Sequence, residues 1–149
     1  MATRALVRVI PRQEGLSYSE GHKHVNKALC NMYHHYDGYP EYLGVKLAEF
    51  VKDIKITNGL GTNSDNFIVA NGAGCLAAQM ISHFKTEAGN VYLHSCEQEE
   101  GGWEEYIYTL YPKEGEPTWI SIYNTYEDDV IFVGKAHKLI KKYAEPGRN

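Results

Sequence analysis

The sequence predicts an α+β domain, in which a mainly antiparallel sheet of about five strands carries two or three packed helices. Short segments rich in valine, isoleucine, threonine and tyrosine, bounded by glycine and asparagine, are typical of strands. Other segments repeat apolar residues at intervals of three and four, the pattern of helices with one buried face. Most connections between the predicted strands are short enough for hairpins, and hairpins join antiparallel strands.

Residues 3–11 (TRALVRVIP) predict the first strand, since β-branched and alternating residues lead up to a proline. Successive side chains of a strand point to opposite faces. The alternation therefore gives two sets: Thr3, Ala5, Val7 and Val9 on one face, and Arg4, Leu6, Arg8 and Ile10 on the other. The polar residues 13–26 predict a loop or hairpin excursion. Residues 28–36 (ALCNMYHHY) predict a second strand that pairs with the first.

Residues 34–40 (HHYDGYP) predict a corner between the second strand and the first helix. Asp37-Gly38 is a strong turn signal, with Gly38 expected at a positive φ angle, and Pro40 suits the first turn of a helix. The helix that follows is expected to bury one apolar stripe: Leu43, Leu47, Phe50, Val51 and Ile54. Residues 57–66, rich in glycine and asparagine, predict a loop.

The rest of the chain predicts a second helix, further strands and a last helix. The second helix is expected over residues 75–86 and is ended by Gly89. The remaining elements are strands at 91–94, 105–111, 118–124 and 129–133 and a helix at about 135–143. Together these elements fit one domain over residues 1–149, with residues 144–149 as a flexible tail.

The bulk composition indicates a globular protein that needs neither a metal nor a disulfide to fold. A chain of 149 residues hides roughly 70% of the surface that its unfolded form exposes. Twelve tyrosines against four phenylalanines suit wet pockets and interfaces, so we expect a homo-oligomer. The net charge of −4 argues against general nucleic-acid binding. Three separated cysteines and the lack of a long apolar run indicate a cytoplasmic protein without a membrane span.

Metal and nucleophilic catalysis find little support in the motifs. His34 and His35 are adjacent on a strand, so only one of them can join a site with Asp37. His22 and His24 lie in a predicted loop, and no HExxH, CxxC or GxSxG motif occurs. We therefore expect no metal, no cofactor and no catalytic residue.

Aromatic residues on two successive strands are candidates for stacking. Tyr106 and Tyr108 share one face of their strand, and Trp119 and Tyr123 share one face of the next. If these faces coincide, the four rings can stack a nucleobase, at about 1–3 kcal/mol per base. The alternative, which the pattern leaves open, is that the rings are ordinary cross-strand pairs of the sheet.

Four motifs occur along the chain in a fixed order: MATR (1–4), YDGYP (36–40), TNGL (57–60) and NGAGCLAAQ (71–79). In this the chain resembles a family of small proteins of bacteriophages, prophages and bacteria with MGTR…YDGYP…NG-x-GCLAA motifs. The resemblance continues through GNVYL (89–93) and EYIYT (105–109), although the excursion at 13–26 is longer than the tight hairpin of that family. It implies a setting in the host cytoplasm, where a small phage protein is expected to block a defence, for example by sequestering its nucleotide signal.

The function that we expect is non-enzymatic binding: a phage anti-defence sponge, meaning a protein that sequesters a small nucleotide-type immune signal. The pocket is expected where the start of the first strand meets the corner. Arginines would donate there to phosphate, and aromatic rings would stack the base. The predicted ligand-binding residues are Thr3, Arg4, Arg8, His35, Asp37, Tyr39, Tyr106, Tyr108 and Trp119.

Two other functions stay open at the level of sequence. One is a small nucleotide hydrolase or nuclease in which His35 is the base and Asp37 orients it, because a carboxylate can hold an imidazole in one tautomer. The other is an inhibitor that binds a host protein through the tyrosine-rich surface. Of the two adjacent histidines we favour His35 over His34, because His35 shares strand parity with Tyr33 and Asp37.

Overall fold

A computed structural model describes residues 2–59, 61–64, 66–97 and 103–144 of the chain. Of the predicted flexible tail, residues 145–149 lie outside this part. The strands are β1 (Ala5–Val9), β2 (Asn31–His34), β3 (Ile54–Thr57), β4 (Ile68–Asn71), β5 (Val91–Leu93), β6 (Tyr106–Lys113), β7 (Glu116–Asn124) and β8 (Asp129–Lys135). The helices are α1 (Val45–Val51), which follows a π-helical turn at Pro40–Gly44, α2 (Gly72–Phe84) and α3 (Ala136–Tyr143). None of the described helices has the length and apolar character that a bilayer crossing requires.

Six strands form one mixed sheet in the order β5-β2-β1-β6-β7-β8. Neighbouring strands pair antiparallel, except β1 and β6, which run parallel at the centre of the sheet. A tight hairpin joins β6 to β7, and Gly115 at its tip has a φ angle of 75°. The predicted α+β fold is therefore confirmed, and the sheet has slightly more strands than expected.

β3 and β4 form a separate two-stranded parallel sheet, which the sequence analysis does not predict. They flank the loop predicted over residues 57–66 and bury Ile54 and Ile56 with Leu76 of α2. Ile54 therefore belongs to β3 and not to the first helix, which ends at Val51. The reason is tertiary, because a strand buries these two alternating isoleucines against one neighbour.

The three helices cover one face of the large sheet, the helix face. Ala5, Val7 and Val9 of β1 point to this face and lie in the main core, as the alternation predicts. The same core includes residues of β2, β6 and β7 and of all three helices: Met32, Tyr108, Leu110, Ile120, Ile122, Leu47, Met80 and Leu139. The alternate side chains of β1 point to the opposite face, the second face.

The segment between β1 and β2 covers part of the second face. Its Tyr18 stacks on Trp119 with ring centroids 4.7 Å apart, and its His22 stacks on Tyr123 at 3.8 Å. The N–H of Gly21 donates to the Tyr111 hydroxyl at 2.9 Å. The predicted excursion is therefore a cover over β6 and β7, and part of the second face on β1, β2 and β5 lies beyond these contacts.

In each edge strand of the large sheet, a backbone carbonyl accepts a hydrogen bond from a lysine side chain. Lys85 Nζ donates to the Val91 carbonyl of β5 at 2.7 Å. Lys142 Nζ donates to the Ile131 carbonyl of β8 at 2.9 Å. Charged side chains at sheet edges disfavour pairing with the edge of another sheet.

Candidate functional site

The Asp37-Gly38 corner is fixed against the start of β1. The Gly38 N–H donates to the Thr3 carbonyl at 2.8 Å, and the Tyr108 hydroxyl donates to the Gly38 carbonyl at 2.6 Å. A Cβ atom on Gly38 would lie 2.7 Å from Cβ of Ala5, so the close approach requires glycine. The positive φ angle belongs to Asp37, at 57°, and not to Gly38, which corrects the prediction for this turn.

Beside this corner, three neighbouring strands present side chains on the second face. The register aligns Tyr33 of β2 with Leu6 of β1 on one side and with Tyr92 of β5 on the other. Side chains at alternate positions share a face of the sheet. The resulting surface, called the open face below, consists of Arg4, Tyr33, His35, Tyr92 and His94.

Tyr33 is at the centre of the open face. Its hydroxyl shares a hydrogen bond of 2.8 Å with Nδ1 of His35. The His94 ring stacks on the Tyr33 ring with centroids 4.7 Å apart and planes 9° from parallel, and the Tyr92 ring is 6.2 Å away. Burial raises the pKa of Tyr33, although the nearby charge of Arg4 opposes the shift. The phenol is therefore neutral at physiological pH and keeps a proton to donate.

Arg4 places a guanidinium at the border of the open face. Its Nε is buried and has no hydrogen-bond partner among the described residues. Its Cζ lies 6.0 Å from the ring centre of Trp103, which is 70% exposed. A buried donor without a partner costs about 1–3 kcal/mol. The Arg4 side chain as a whole is only half-buried, so a ligand could accept a hydrogen bond from the guanidinium if the side chain turned outward, which would also remove this cost.

Hydrogen bonds of the surrounding backbone hold Trp103 beside Arg4. The N–H of Glu105 donates to the Arg4 carbonyl at 2.9 Å. The Thr125 hydroxyl donates to the Glu104 carbonyl at 2.6 Å. The indole therefore belongs to a segment that is tied both to the start of β1 and to the turn between β7 and β8, while its side chain stays exposed.

Arg8 is buried in the covered part of the second face. Its side chain is fully buried, and it donates from Nε to Asn31 Oδ1 at 3.2 Å and from Nη1 to the His22 carbonyl at 3.3 Å. Arg8 follows Arg4 by four positions, a distance of about 13 Å along an extended chain. The burial of Arg8 argues against the predicted contact with a ligand and indicates that it ties the cover to the sheet.

The four predicted stacking rings do not form one surface. The register of β6 and β7 places Tyr106 and Tyr108 on the helix face and Trp119 and Tyr123 on the second face. Tyr108 is fully buried, and burial raises its pKa and that of Tyr106. The Trp119 ring is stacked under Tyr18. Tyr108 is therefore an ordinary sheet residue, as the alternative states. The prediction that the four rings form one stacking surface is wrong.

His35 and Asp37 line a wide groove of about 650 Å³ at the edge of the open face, with Tyr36, Glu87 and Tyr92 among its other residues. The ring of His35 bonds to Tyr33 and not to Asp37. Within the described part of the chain, the Asp37 carboxylate makes no hydrogen bond. The base and the orienting carboxylate of the hydrolase alternative are thus near each other in the chain but not joined by a hydrogen bond.

Thr3 and Tyr39 take part in the corner through their backbones. The Thr3 carbonyl accepts from Gly38, and the Tyr39 carbonyl accepts from the N–H groups of Tyr42 and Leu43 at 3.0 and 2.9 Å. The Tyr39 ring centroid lies 6.2 Å from that of Tyr42. These contacts give both residues a structural part in the corner, whereas the open face is built from other side chains.

Metal ligands and nucleophiles are not clustered in the described part of the chain. No group of three or more histidine, cysteine, aspartate or glutamate residues within it could hold a metal ion. Burial raises the pKa of the Cys30 thiol to about 11. Because the thiolate is the reactive form, Cys30 is a poor nucleophile at neutral pH.

No motif in the sequence identifies Tyr92, His94 and Trp103 as members of a site. Their recruitment depends on the pairing of β5 with β2 and on the hydrogen bonds that bring residues 103–105 to β1. One available signal is the alternation in Tyr92-Leu93-His94, which puts two aromatic side chains on one face of a strand.

No protein-family model matches the chain, and neither the curated proteins nor the solved structures contain a similar protein at significant similarity. The proposed function therefore rests on the geometry of this chain's own residues.

Proposed function

We propose that the protein binds a small nucleotide-type ligand on the open face without converting it, with Arg4 on the phosphate. The observation that carries the proposal is the Nε of Arg4, which is buried beside the exposed Trp103 ring and has no hydrogen-bond partner among the described residues. A guanidinium with an unused donor is suited to phosphate, because it can donate two parallel hydrogen bonds to one anion.

Exposed rings on and beside the open face supply the second requirement, a surface for a base. Trp103 is 70% exposed and Tyr92 is 51% exposed, so both offer ring area to a ligand. The stacked Tyr33–His94 pair lies beside Tyr92 on the same face. Each base stacked on such a ring contributes about 1–3 kcal/mol.

The expected affinity follows from these magnitudes. Charge-assisted hydrogen bonds contribute about 1.5–3 kcal/mol each, and a nanomolar complex requires about −12 kcal/mol. One arginine and one or two rings approach that value only before the costs of ordering the ligand are subtracted. A single chain is therefore expected to bind in the micromolar range. Nanomolar sequestration, as a phage sponge for an immune signal needs, would require a homo-oligomer whose second copy adds contacts.

Binding without turnover is favoured over hydrolysis by the partner of His35. A general base is most effective when a carboxylate orients it, but the Nδ1 of His35 is engaged by the neutral hydroxyl of Tyr33. The hydrolase alternative would need Asp37 to turn toward His35. The alternative of a protein-binding inhibitor needs neither residue.

The experiment is to bring the protein to equilibrium with a panel of linear and cyclic nucleotides by dialysis, compare the nucleotide content inside and outside, denature the protein by heat and analyse the released nucleotide by chromatography. Recovery of the intact nucleotide supports binding without turnover. Recovery of a product would establish the hydrolase alternative. Failure to retain any nucleotide at millimolar concentration would remove the proposal and leave the protein-binding alternative.

A further inference from the structure

The most concentrated positive charge in the described structure lies on α3 and the residue before it. Residues 135–143 contain four lysines, one histidine and no carboxylate. The whole chain has a net charge of −4, so the other residues together have a net charge of −8. Lys135, Lys138 and Lys141 are spaced three apart and form the basic row, with Lys138 and Lys141 exposed.

The start of this arrangement is unfavourable for the helix, whereas Lys141 and Lys142 in the last turn suit the negative end of the helix dipole. The first turn of α3 has no acidic residue and no side-chain cap, although the positive end of the helix dipole favours a negative group there. Like charges three positions apart on a helix also repel each other. No described carboxylate lies within 4.0 Å of Lys135, Lys138 or Lys141. Helix stability therefore does not explain the lysines at the start of the row, and local features of this kind are expected at functional sites.

A small groove lies directly beside the basic row. It measures about 250 Å³ and is lined by Trp119, Val133 and Gly134, with Lys135, His137 and Lys138 completing its wall. Val133 is exposed, so an apolar surface is open to solvent next to three basic side chains. The volume suits one large apolar side chain and is too small for a folded element.

The aromatic rings at this place are already stacked. Tyr18 covers Trp119 with ring centroids 4.7 Å apart, and the guanidinium of Arg12 lies 4.4 Å from the centre of the Tyr18 ring. Single-stranded nucleic acid is bound through free aromatic faces that stack its bases. The occupied rings disfavour a nucleic acid at this surface, because its bases would find no free aromatic face.

We propose that the groove and the basic row form a docking surface for an extended acidic segment of a partner protein. One apolar side chain of the segment enters the groove between Trp119 and Val133. Carboxylates at alternate positions of an extended chain recur about every 6.6 Å. Residues three apart on a helix are about 5–6 Å apart, so the flexible lysine side chains can meet such carboxylates along the row. This surface is separate from the open face and does not depend on nucleotide binding.

The test uses a fluorescein-labelled peptide with one phenylalanine followed by three glutamates at alternate positions, and measures anisotropy against the full chain. We expect a micromolar dissociation constant that weakens at least threefold between 50 and 300 mM salt, since exposed charges are screened. The double variant Lys138→Glu, Lys141→Glu is expected to lose at least tenfold in affinity. The matched control is Lys27→Glu, Lys52→Glu, which changes the net charge equally at exposed lysines elsewhere and should weaken binding less than threefold.

Two further measurements test the role of the groove and compare the acidic peptide with other ligands. Val133→Glu, checked for folding by circular dichroism, blocks the groove and should weaken the peptide, as should replacing its phenylalanine by alanine. An oligothymidine of eight nucleotides and vesicles with anionic lipid serve as competing probes. The proposal would be overturned by an equal loss of peptide affinity in both double variants or by no peptide binding at millimolar concentration. Tighter binding of the oligonucleotide or the vesicles than of the peptide would also overturn it.

Discussion

The hydroxyl of Tyr33 and Nδ1 of His35 lie 2.8 Å apart, and this bond joins two side chains that share a face of β2. It directs the imidazole toward the open face, whereas the neighbouring His34 points to the helix face and packs against Phe84 at 5.7 Å between ring centroids. The two adjacent histidines of the corner motif therefore have different roles, one at a surface and one in a core.

These roles predict opposite results for His35→Ala and His34→Ala. His35→Ala should change the free energy of unfolding by less than about 1 kcal/mol, because its one hydrogen bond is only partly buried, and should weaken nucleotide binding. His34→Ala should destabilise the protein by about 1–3 kcal/mol, because the side chain is 4% exposed. Urea denaturation measures the free energy of unfolding of each variant, and titration calorimetry measures its affinity for the nucleotide. If His35→Ala destabilised the protein and His34→Ala only weakened nucleotide binding, the roles assigned to the two histidines would be wrong.

The pH dependence of stability is predicted to depend on His34. Burial lowers its pKa to about 4, below the ordinary value of 6.5, so the unfolded chain takes up a proton more readily than the folded one. Stability from this residue is therefore complete above pH 6.5 and falls as the pH drops toward 4, by about 2 kcal/mol between pH 7 and pH 5. Urea denaturation of wild type and His34→Gln at these two pH values tests this. An equal loss in both proteins would show that another group is responsible.

The close approach at the corner predicts that Gly38→Ala destabilises the protein by about 1–3 kcal/mol. The added Cβ would lie 2.7 Å from Ala5 Cβ and 2.9 Å from the Thr3 carbonyl oxygen, so the backbone must shift. Asp37→Gly is the matched variant, since its φ of 57° suits glycine and its carboxylate makes no hydrogen bond within the described structure. It should stabilise the protein or change stability by less than about 1 kcal/mol. Similar losses for both variants in thermal denaturation would contradict this division.

Exposed tyrosines predict self-association. Tyr36, Tyr39, Tyr42 and Tyr92 all expose large parts of their rings near the corner, and such rings are enriched in protein interfaces. Light scattering at micromolar concentration is expected to give at least twice the chain mass of 16.9 kDa. A mass of one chain across the concentration range would remove the prediction, and with it the route to nanomolar binding.

The faces of β1 could be predicted from sequence because alternation is a local property of a strand. The alternation alone predicts the side of the sheet on which Arg4 lies. Whether a residue on that side is open or covered is not local, since it depends on the path of residues 13–26 over the sheet. That path is set by contacts such as Tyr18 on Trp119, between residues far apart in the chain. For this reason the pattern predicts Arg8 at a ligand, whereas the cover buries it.

The composition of the open face could be predicted only in part for the same reason. Arg4 and His35 follow from the pattern of β1 and β2, but Tyr92 and His94 join them through a strand pairing that no local pattern specifies. The prediction of one aromatic surface on β6 and β7 was wrong for the same reason. The faces of β6 and β7 were each assigned correctly, whereas the register between the strands, which decides whether two faces coincide, was not known.

The most direct test of the account is nucleotide titration of Arg4→Ala, with Arg12→Ala as control. Arg12 also lies over an aromatic ring, that of Tyr18, but on the covered part of the second face. For the nucleotide retained by the wild type, calorimetry should show at least a tenfold loss of affinity for Arg4→Ala. The melting temperature should be unchanged or higher, because a buried unpaired donor is removed. Arg12→Ala should bind like the wild type. Unchanged affinity in Arg4→Ala, or a large fall in its melting temperature with binding retained by the folded fraction, would contradict a phosphate-binding role.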